Sequence, residues 1–201
     1  MKNWISLALL AAAVLTLTAC LTQAHPQKNL FTLDARPPET QANTAKRRTL
    51  LAGTVSAAAG YDNRGLVYRV GPDQFENDFY NEFMAPPARL LADQCAQYLD
   101  AASRRVRVVK TPGLALADYG LETYLETMHG DFTADPPQGV MAIRFTVNDL
   151  RQAPTRVLLD KTYRYSAPMA AKTPEALVAA LSRCLEAILA ELNGDIDKNI
   201  R

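Results

Sequence analysis

Leu121-Glu122-Thr123-Tyr124-Leu125-Glu126-Thr127-Met128 alternates residue by residue, with Leu121, Thr123, Leu125 and Thr127 on one side and Glu122, Tyr124, Glu126 and Met128 on the other. Successive side chains of a strand point to opposite faces, so this pattern predicts a strand with one buried face. The strand extends over 119–132. Downstream, Val140 to Val147 places Met141, Ile143, Phe145 and Val147 on one face. Arg156 to Tyr165 sets Val157, Leu159, Tyr163 and Tyr165 against Asp160 and Arg164. Three long strands in succession predict a meander.

Two helices frame it. Pro86-Pro87 opens the first, because proline suits the first helical turn, where its missing N–H costs nothing. Leu90, Leu91, Cys95, Tyr98, Leu99 and Ala102 recur at helical spacing as far as Ser103. Thr173-Pro174-Glu175 caps and starts the second, which is expected to end near Asn193, leaving Gly194 to Arg201 as a polar tail that frays. Upstream, strands are expected at 30–33, 49–57 and 66–70, with a further short one inside 75–83. Gly60-Tyr61-Asp62-Asn63-Arg64-Gly65 carries turn chemistry, which makes 49–57 and 66–70 a hairpin candidate. The order strands, helix, strands, helix predicts a single α/β (α+β) domain, a mixed sheet flanked by two long helices.

Composition narrows the function classes. The 201 residues carry 22 Lys+Arg against 21 Asp+Glu, a net charge of +1, with 48% hydrophobic residues. That apolar fraction is ordinary for a folded domain and excludes a disordered chain. The balanced charge gives no basic excess for nucleic acid.

The first apolar run stands apart from the fold. Met1-Lys2-Asn3-Trp4 is followed by the uncharged stretch Ile5 to Leu17 and then Leu17-Thr18-Ala19-Cys20. This is the layout of a secretory signal peptide, too short for a comfortable transmembrane helix. Its end matches the bacterial lipobox, Leu-x-Ala-Cys. The expected division is a signal peptide at 1–19, a lipidated tether at 20–28 and a domain at 29–201. Cleavage before Cys20 removes Lys2 and the single Trp4, leaving a neutral domain carried on lipid. Multiple acyl chains on Cys20 anchor firmly where one chain would be marginal, and no other cofactor is expected. Leu21, in place of the Asp that favours retention at the inner membrane, favours the periplasmic face of the outer membrane.

Of the three cysteines, Cys95 and Cys184 remain in an oxidising compartment, each on the apolar stripe of a helix. One disulfide and two buried thiols are both compatible with that placement. No His or Cys sits at metal-ligand spacing. No nucleophile elbow, zinc-protease pair or phosphate loop is present, and the two histidines, His25 and His129, each stand alone. The chain is therefore expected not to be an enzyme. Aromatics, by contrast, are concentrated. Six of the fourteen Tyr and Phe residues (Tyr61, Tyr68, Phe75, Phe79, Tyr80 and Phe83) fall between positions 61 and 83, interleaved with charge. Mixtures of that kind favour protein contacts, although half of them filling the core is an equal reading. Tyr68 and Phe79 are expected inward, and Tyr61, Tyr80 and Phe83 outward. Tyr61, Asn63, Arg64, Tyr68, Arg69, Tyr80 and Phe83 are the candidate partner-binding residues.

Several phrases together carry a resemblance. These are the lipobox, Asn29-Leu30-Phe31-Thr32-Leu33-Asp34, the run Gly60 to Arg69, Asp78-Phe79-Tyr80-Asn81-Glu82-Phe83, Ala85-Pro86-Pro87-Ala88-Arg89-Leu90-Leu91, Leu121-Glu122 and Gly130-Asp131-Phe132. In order, and over nearly all of 20–201, the chain resembles the ABC-type transport auxiliary lipoprotein family, which includes the PqiC-like lipoproteins. The resemblance implies a fold like the N-terminal domain of TolB. It also implies work beside an ABC ATPase, its permease and a periplasmic MCE-domain protein, moving lipids or hydrophobic compounds between the two membranes. A rival reading is a lipoprotein regulator of cell-wall synthesis, which would co-purify with a synthase instead. A homo-oligomer is compatible with a neutral domain bearing an aromatic patch.

Overall fold

The strand Tyr119–Asp131 (β6) is the axis of the sheet. The protein is described here from a computed structural model, over residues 27–38, 48–110 and 117–200. The expected signal peptide, Cys20 and most of the tether lie outside the described residues. In chain order the elements are β1 (Asn29–Phe31), β2 (Arg48–Ala57), β3 (Gly65–Arg69), β4 (Phe75–Phe83), α1 (Pro87–Ala102), β5 (Val106–Val109), β6, β7 (Gln138–Asp149), β8 (Arg156–Pro168) and α2 (Pro174–Asn199). The expected class, a single α+β domain with a mixed sheet and two long helices, is the observed one.

One edge of β6 pairs antiparallel with β7 along its whole length, and β7 continues antiparallel into β8, which gives the expected meander. The other edge is shared. β2 runs parallel to its first half, from Leu50 opposite Tyr119 to Ala57 opposite Leu125. β3 runs parallel to its far end, with Tyr68 opposite Gly130 and Arg69 opposite Asp131. β5 extends the sheet beyond β2, and β4 and then β1 extend it beyond β3. So 49–57 and 66–70 are not a hairpin. Both strands run in the same direction along one edge, and the Gly60–Gly65 turn chemistry builds a detour between them rather than a reversal. Gly60 there has φ of 94°, a conformation that glycine adopts without a Cβ penalty.

Both helices cover the same face. Leu91, Cys95, Tyr98 and Leu99 of α1 pack over β2 and β5, while Leu177, Leu181, Cys184, Leu185 and Ile188 of α2 pack over β7 and β8. They meet Leu50, Val106, Leu121, Leu125, Ile143 and Phe145 in one buried cluster. The opposite sheet face carries Glu122, Tyr124, Arg144, Thr146 and Asn148 and, among the described residues, has no helix over it. The alternation read in the sequence holds as far as Leu125. There Leu125 opposes Ile143 while Thr127 opposes Ala142, a bulge at Glu126. It reverses the facing of everything after it, so Met128 turns into the core and His129 to the open face.

One further expectation is corrected and one pair of alternatives is resolved. The 194–200 segment does not fray: α2 continues to Asn199, with Ile196 and Ile200 in the core. Gly194 faces open space and costs the helix only about 1 kcal/mol against alanine, less than the two buried isoleucines return. Asp195 then accepts hydrogen bonds from Tyr163 and Lys161, both at 2.9 Å. Of the two arrangements compatible with the placement of Cys95 and Cys184, the structure has the unbonded pair. Both are buried thiols, and Cys184 is turned onto the Gly139 carbonyl of β7 at 3.4 Å. Burial pushes the Cys95 thiol up to about 12 and that of Cys184 up to about 11, far from reactive thiolate.

The integration of the last turns is directly measurable. Ile196→Ala should cost about 2–5 kcal/mol in urea unfolding, as buried large-to-small changes do. A frayed segment would show less than about 0.5 kcal/mol.

Candidate functional site

The aromatic segment forms one corner of the sheet, where β1, β3 and β4 meet. Its shape comes from a large bulge. From Val67 back to Gly65, β3 advances two residues, while the opposite stretch of β4 runs from Asn77 to Glu82, five residues. Three extra residues must therefore loop out. Asp78 holds the loop. Its carboxylate accepts the backbone N–H of Tyr80 and of Asn81, both at 2.9 Å, the Asn81 side-chain amide at 2.8 Å and the Tyr68 hydroxyl at 3.0 Å. Aspartate bonding its own backbone two residues on is local turn chemistry. Partial burial works against the Asp78 charge, but these four bonds outweigh it and hold its pKa below the usual carboxylate range. Burial and the same carboxylate raise the Tyr68 hydroxyl well above its ordinary value.

The bulge pushes Phe79 and Tyr80 into solvent, their rings edge-to-face at 5.2 Å. Phe79 is 68% exposed, and Met84 at 61% and Leu30 at 55% accompany it. Register places these on the open side. Phe31 opposes the buried Phe83, so Leu30 and its partner Glu82 point the other way. Glu82 gathers the charges of the corner. It pairs with Lys28 and, at 3.0 Å, with Arg64. The Lys28 bond above all holds its carboxyl below the usual range. Lys28 also sits over the Phe79 ring at 4.4 Å. Between the 62–65 turn and the bulge lies an open groove of about 740 Å³, bordered by Asn63, Arg64, Phe79 and Glu82.

Behind this corner, His129 is clamped between Tyr61, whose hydroxyl lies 3.1 Å from Nδ1, and the Phe75 ring edge-on at 5.2 Å. Burial lowers the His129 pKa, with Arg69 adding to the effect and Asp131 opposing it. A lowered histidine favours the neutral ring in the folded state. Its contribution is therefore full above the ordinary imidazole range and is lost as pH falls from there through the lowered folded value. Arg69 closes the seam on Asp131 at 3.3 Å.

The structure thus divides the sequence-derived residues. Asn63 and Arg64 border the groove across from Phe79, and Tyr80 is exposed on the bulge beside Phe79. Tyr61 and Arg69 lie half-buried behind this corner. Tyr68 and Phe83 are core residues, 8% and 1% exposed, so neither can form a contact surface. The expected facing of Phe79 and Phe83 is reversed: the three extra residues carry Phe79 out into solvent, while Phe83, past the bulge and opposite Phe31, turns into the core. Lys28, Leu30, Glu82 and Met84 were missed as candidates. The signal was Asp78 followed by Tyr80-Asn81, a turn-forming residue inside a strand. A second groove, of about 700 Å³, runs across the middle of the open face, but its charged groups are paired off. Arg144 grips Asp160 at 2.7 and 2.6 Å, and Asn148 bonds Glu122 at 3.1 Å. The corner differs in presenting unpaired apolar surface beside charge, an arrangement suited to binding.

The family model described as the ABC-type transport auxiliary lipoprotein component matches residues 31–193. Among solved structures, a Xanthomonas campestris protein superposes with a TM-score of 0.72 at 18% identity, covering 85% of this chain and 96% of that one. A hypothetical protein from Chlamydia trachomatis superposes at 0.54 with 11% identity, covering 77% and 100%. At such identities the likeness is one of fold. Comparison with curated proteins gave no match.

Two variants test the bulge. A Cβ at Gly65 would lie 1.9 Å from the Asn77 side-chain oxygen and 2.8 Å from the Asp78 carbonyl. Gly65→Ala should therefore destabilise by about 1–3 kcal/mol in thermal or urea unfolding, as overpacking does. Asp78→Asn should be less stable than the parent at neutral pH. Because the Asp78 pKa is lowered on folding, the parent's advantage should persist above about pH 4 and vanish as pH falls through the folded value, which unfolding midpoints across pH will show.

Proposed function

Because the chain belongs to the ABC-type transport auxiliary lipoprotein family, we propose that it is the outer-membrane, non-enzymatic member of an MCE-type transport system. In this reading it is anchored through acylated Cys20 on the periplasmic face. It docks the periplasmic MCE-domain protein, which works with the permease and ATPase of the inner membrane to move lipids or other hydrophobic compounds. The family match over 31–193 carries the reading. It is supported by the Leu-x-Ala-Cys sequence at 17–20, which supplies an acylation site, and by the exposed corner, which supplies a contact surface of aromatic and charged groups.

The docking surface in this reading is the 62–65 turn with Tyr80. Asn63 and Arg64 offer directional polar groups, and Tyr80 offers a large rigid ring at low entropic cost. Arg64 is held in place by Glu82 and by its bond to the Phe83 carbonyl at 3.0 Å, so it is presented ready-formed.

Two experiments decide it. Cys20→Ser should abolish incorporation of labelled palmitate and move the chain from the membrane to the soluble fraction. Asn63→Ala/Arg64→Ala/Tyr80→Ala, still acylated and folded by circular dichroism, should lose about tenfold or more in recovery of the MCE protein by pull-down. Unchanged recovery, or recovery of a cell-wall synthase in its place, would contradict the reading.

A further inference from the structure

We propose that Leu30, Phe79 and Met84 form a foot that rests in the lipid surface holding the anchor, with Lys28 at headgroup level. The inference rests on acylation at Cys20 and goes beyond it by assigning the domain an orientation and a second membrane contact.

Three observations lead to it. The three side chains are among the most exposed large apolar groups of the described residues, and strand register together with the bulge brings them to one corner. Met84 extends the pairing, donating its N–H to the Phe31 carbonyl at 2.8 Å, which sets it on the same side as Leu30 and Glu82. An apolar cluster of this kind, facing water, calls for an occupant.

The chain itself says which. Residues 21–28 separate Cys20 from the first strand, and even fully extended they reach about 26–29 Å. A domain of this size is about 40 Å across. The corner at which the tether enters, with Leu30 in its second strand residue, is therefore held nearer the bilayer than the far edge of the sheet. The anchor also keeps the corner at high effective concentration against lipid, so a small apolar contact suffices where a free protein would need a larger one.

The chemistry matches an interface rather than a dry protein pocket. Phe79 presents an apolar ring, and the Lys28 amine lies over that ring while pairing with Glu82, so an aromatic group and a cation share the corner. Aromatic rings and basic side chains at headgroup level are usual anchors at a membrane–water boundary. The polar 62–65 turn borders the foot and stays clear for a protein partner.

Tryptophan provides the test, because the chain processed before Cys20 contains none and serves as the blank. Phe79→Trp and, on the opposite edge strand β8, Tyr165→Trp are introduced separately into the full chain. Each protein is purified with its acyl chains and reconstituted into phosphatidylethanolamine/phosphatidylglycerol vesicles with and without brominated acyl chains. The Phe79→Trp emission should be blue-shifted and lose most of its intensity to the bromolipid, while the Tyr165→Trp emission should do neither. On a chain whose mass confirms acylation, equal quenching of the two probes overturns the foot and leaves the anchor standing. A blue shift at Phe79→Trp without bromolipid quenching overturns it too, because a second copy or another protein then covers the corner. A chain of unacylated mass overturns the anchor itself, and the foot with it.

Discussion

β6 offers one edge to two strands in succession, and the rest of the molecule is arranged around that division. β2 occupies the edge as far as Leu125 and β3 takes up its end at Gly130 and Asp131. Only two register pairs join β3, and with it β4 and β1, to the body of the sheet. Side chains reinforce this short seam. Arg69 pairs with Asp131 at 3.3 Å, the Phe132 N–H reaches the Arg69 carbonyl at 2.9 Å, and the Tyr68 and Phe132 rings meet at 4.9 Å. Tyr61 and Phe75 close over His129 on the other face. The bulge at Glu126 makes this possible, because it turns His129 outward and Met128 inward just before β3 arrives.

The consequence is a division of labour. β6, β7 and β8 under α2, with β2 and β5 under α1, hold most of the buried apolar surface, with Tyr124, Val157 and Tyr165 exposed on them. The lobe of β1, β3 and β4 contributes Leu66, Tyr68 and Phe83 to the core and otherwise displays side chains. Its bulge depends on Asp78, and Asp78 also receives the hydroxyl of Tyr68, a core residue. The display of Phe79 and Tyr80 is thus tied to the packing beneath it. The tether enters the same lobe, so anchor, apolar corner and polar turn lie within one small unit.

Much of this was legible in the residues. Period-two alternation located β6, β7 and β8, and proline-led apolar stripes located both helices. These signals are local, and tertiary context did not override them. What escaped was non-local or arose from one extra residue. Gly60 to Gly65 has the chemistry of a turn, but turn chemistry does not say whether the chain reverses or carries on along a third strand. Facing was misread at Met128, which lies beyond a bulge that alternation does not reveal, and at Phe79 and Phe83, which lie within and just past a second bulge in a segment with no period to read. The end of α2 was placed too early because Gly194 reads as a stop signal, whereas Ile196 and Ile200 find the core only in three dimensions. For the corner, aromatic density found the right segment but not the right members. Exposure is set by the three looped-out residues and by Leu30 of β1 with Lys28 just before it, both distant in sequence.

Native-state amide hydrogen exchange tests the central claim, that β1, β3 and β4 form a lobe hinged on the last residues of β6. Amides of β3 and β4 should exchange through a sub-global opening, at a free energy clearly below that of β6, β7 and α2, which should exchange only with global unfolding. The same protection and the same denaturant dependence for Val67, Leu125 and Ile143 would contradict it and make the sheet a single cooperative unit.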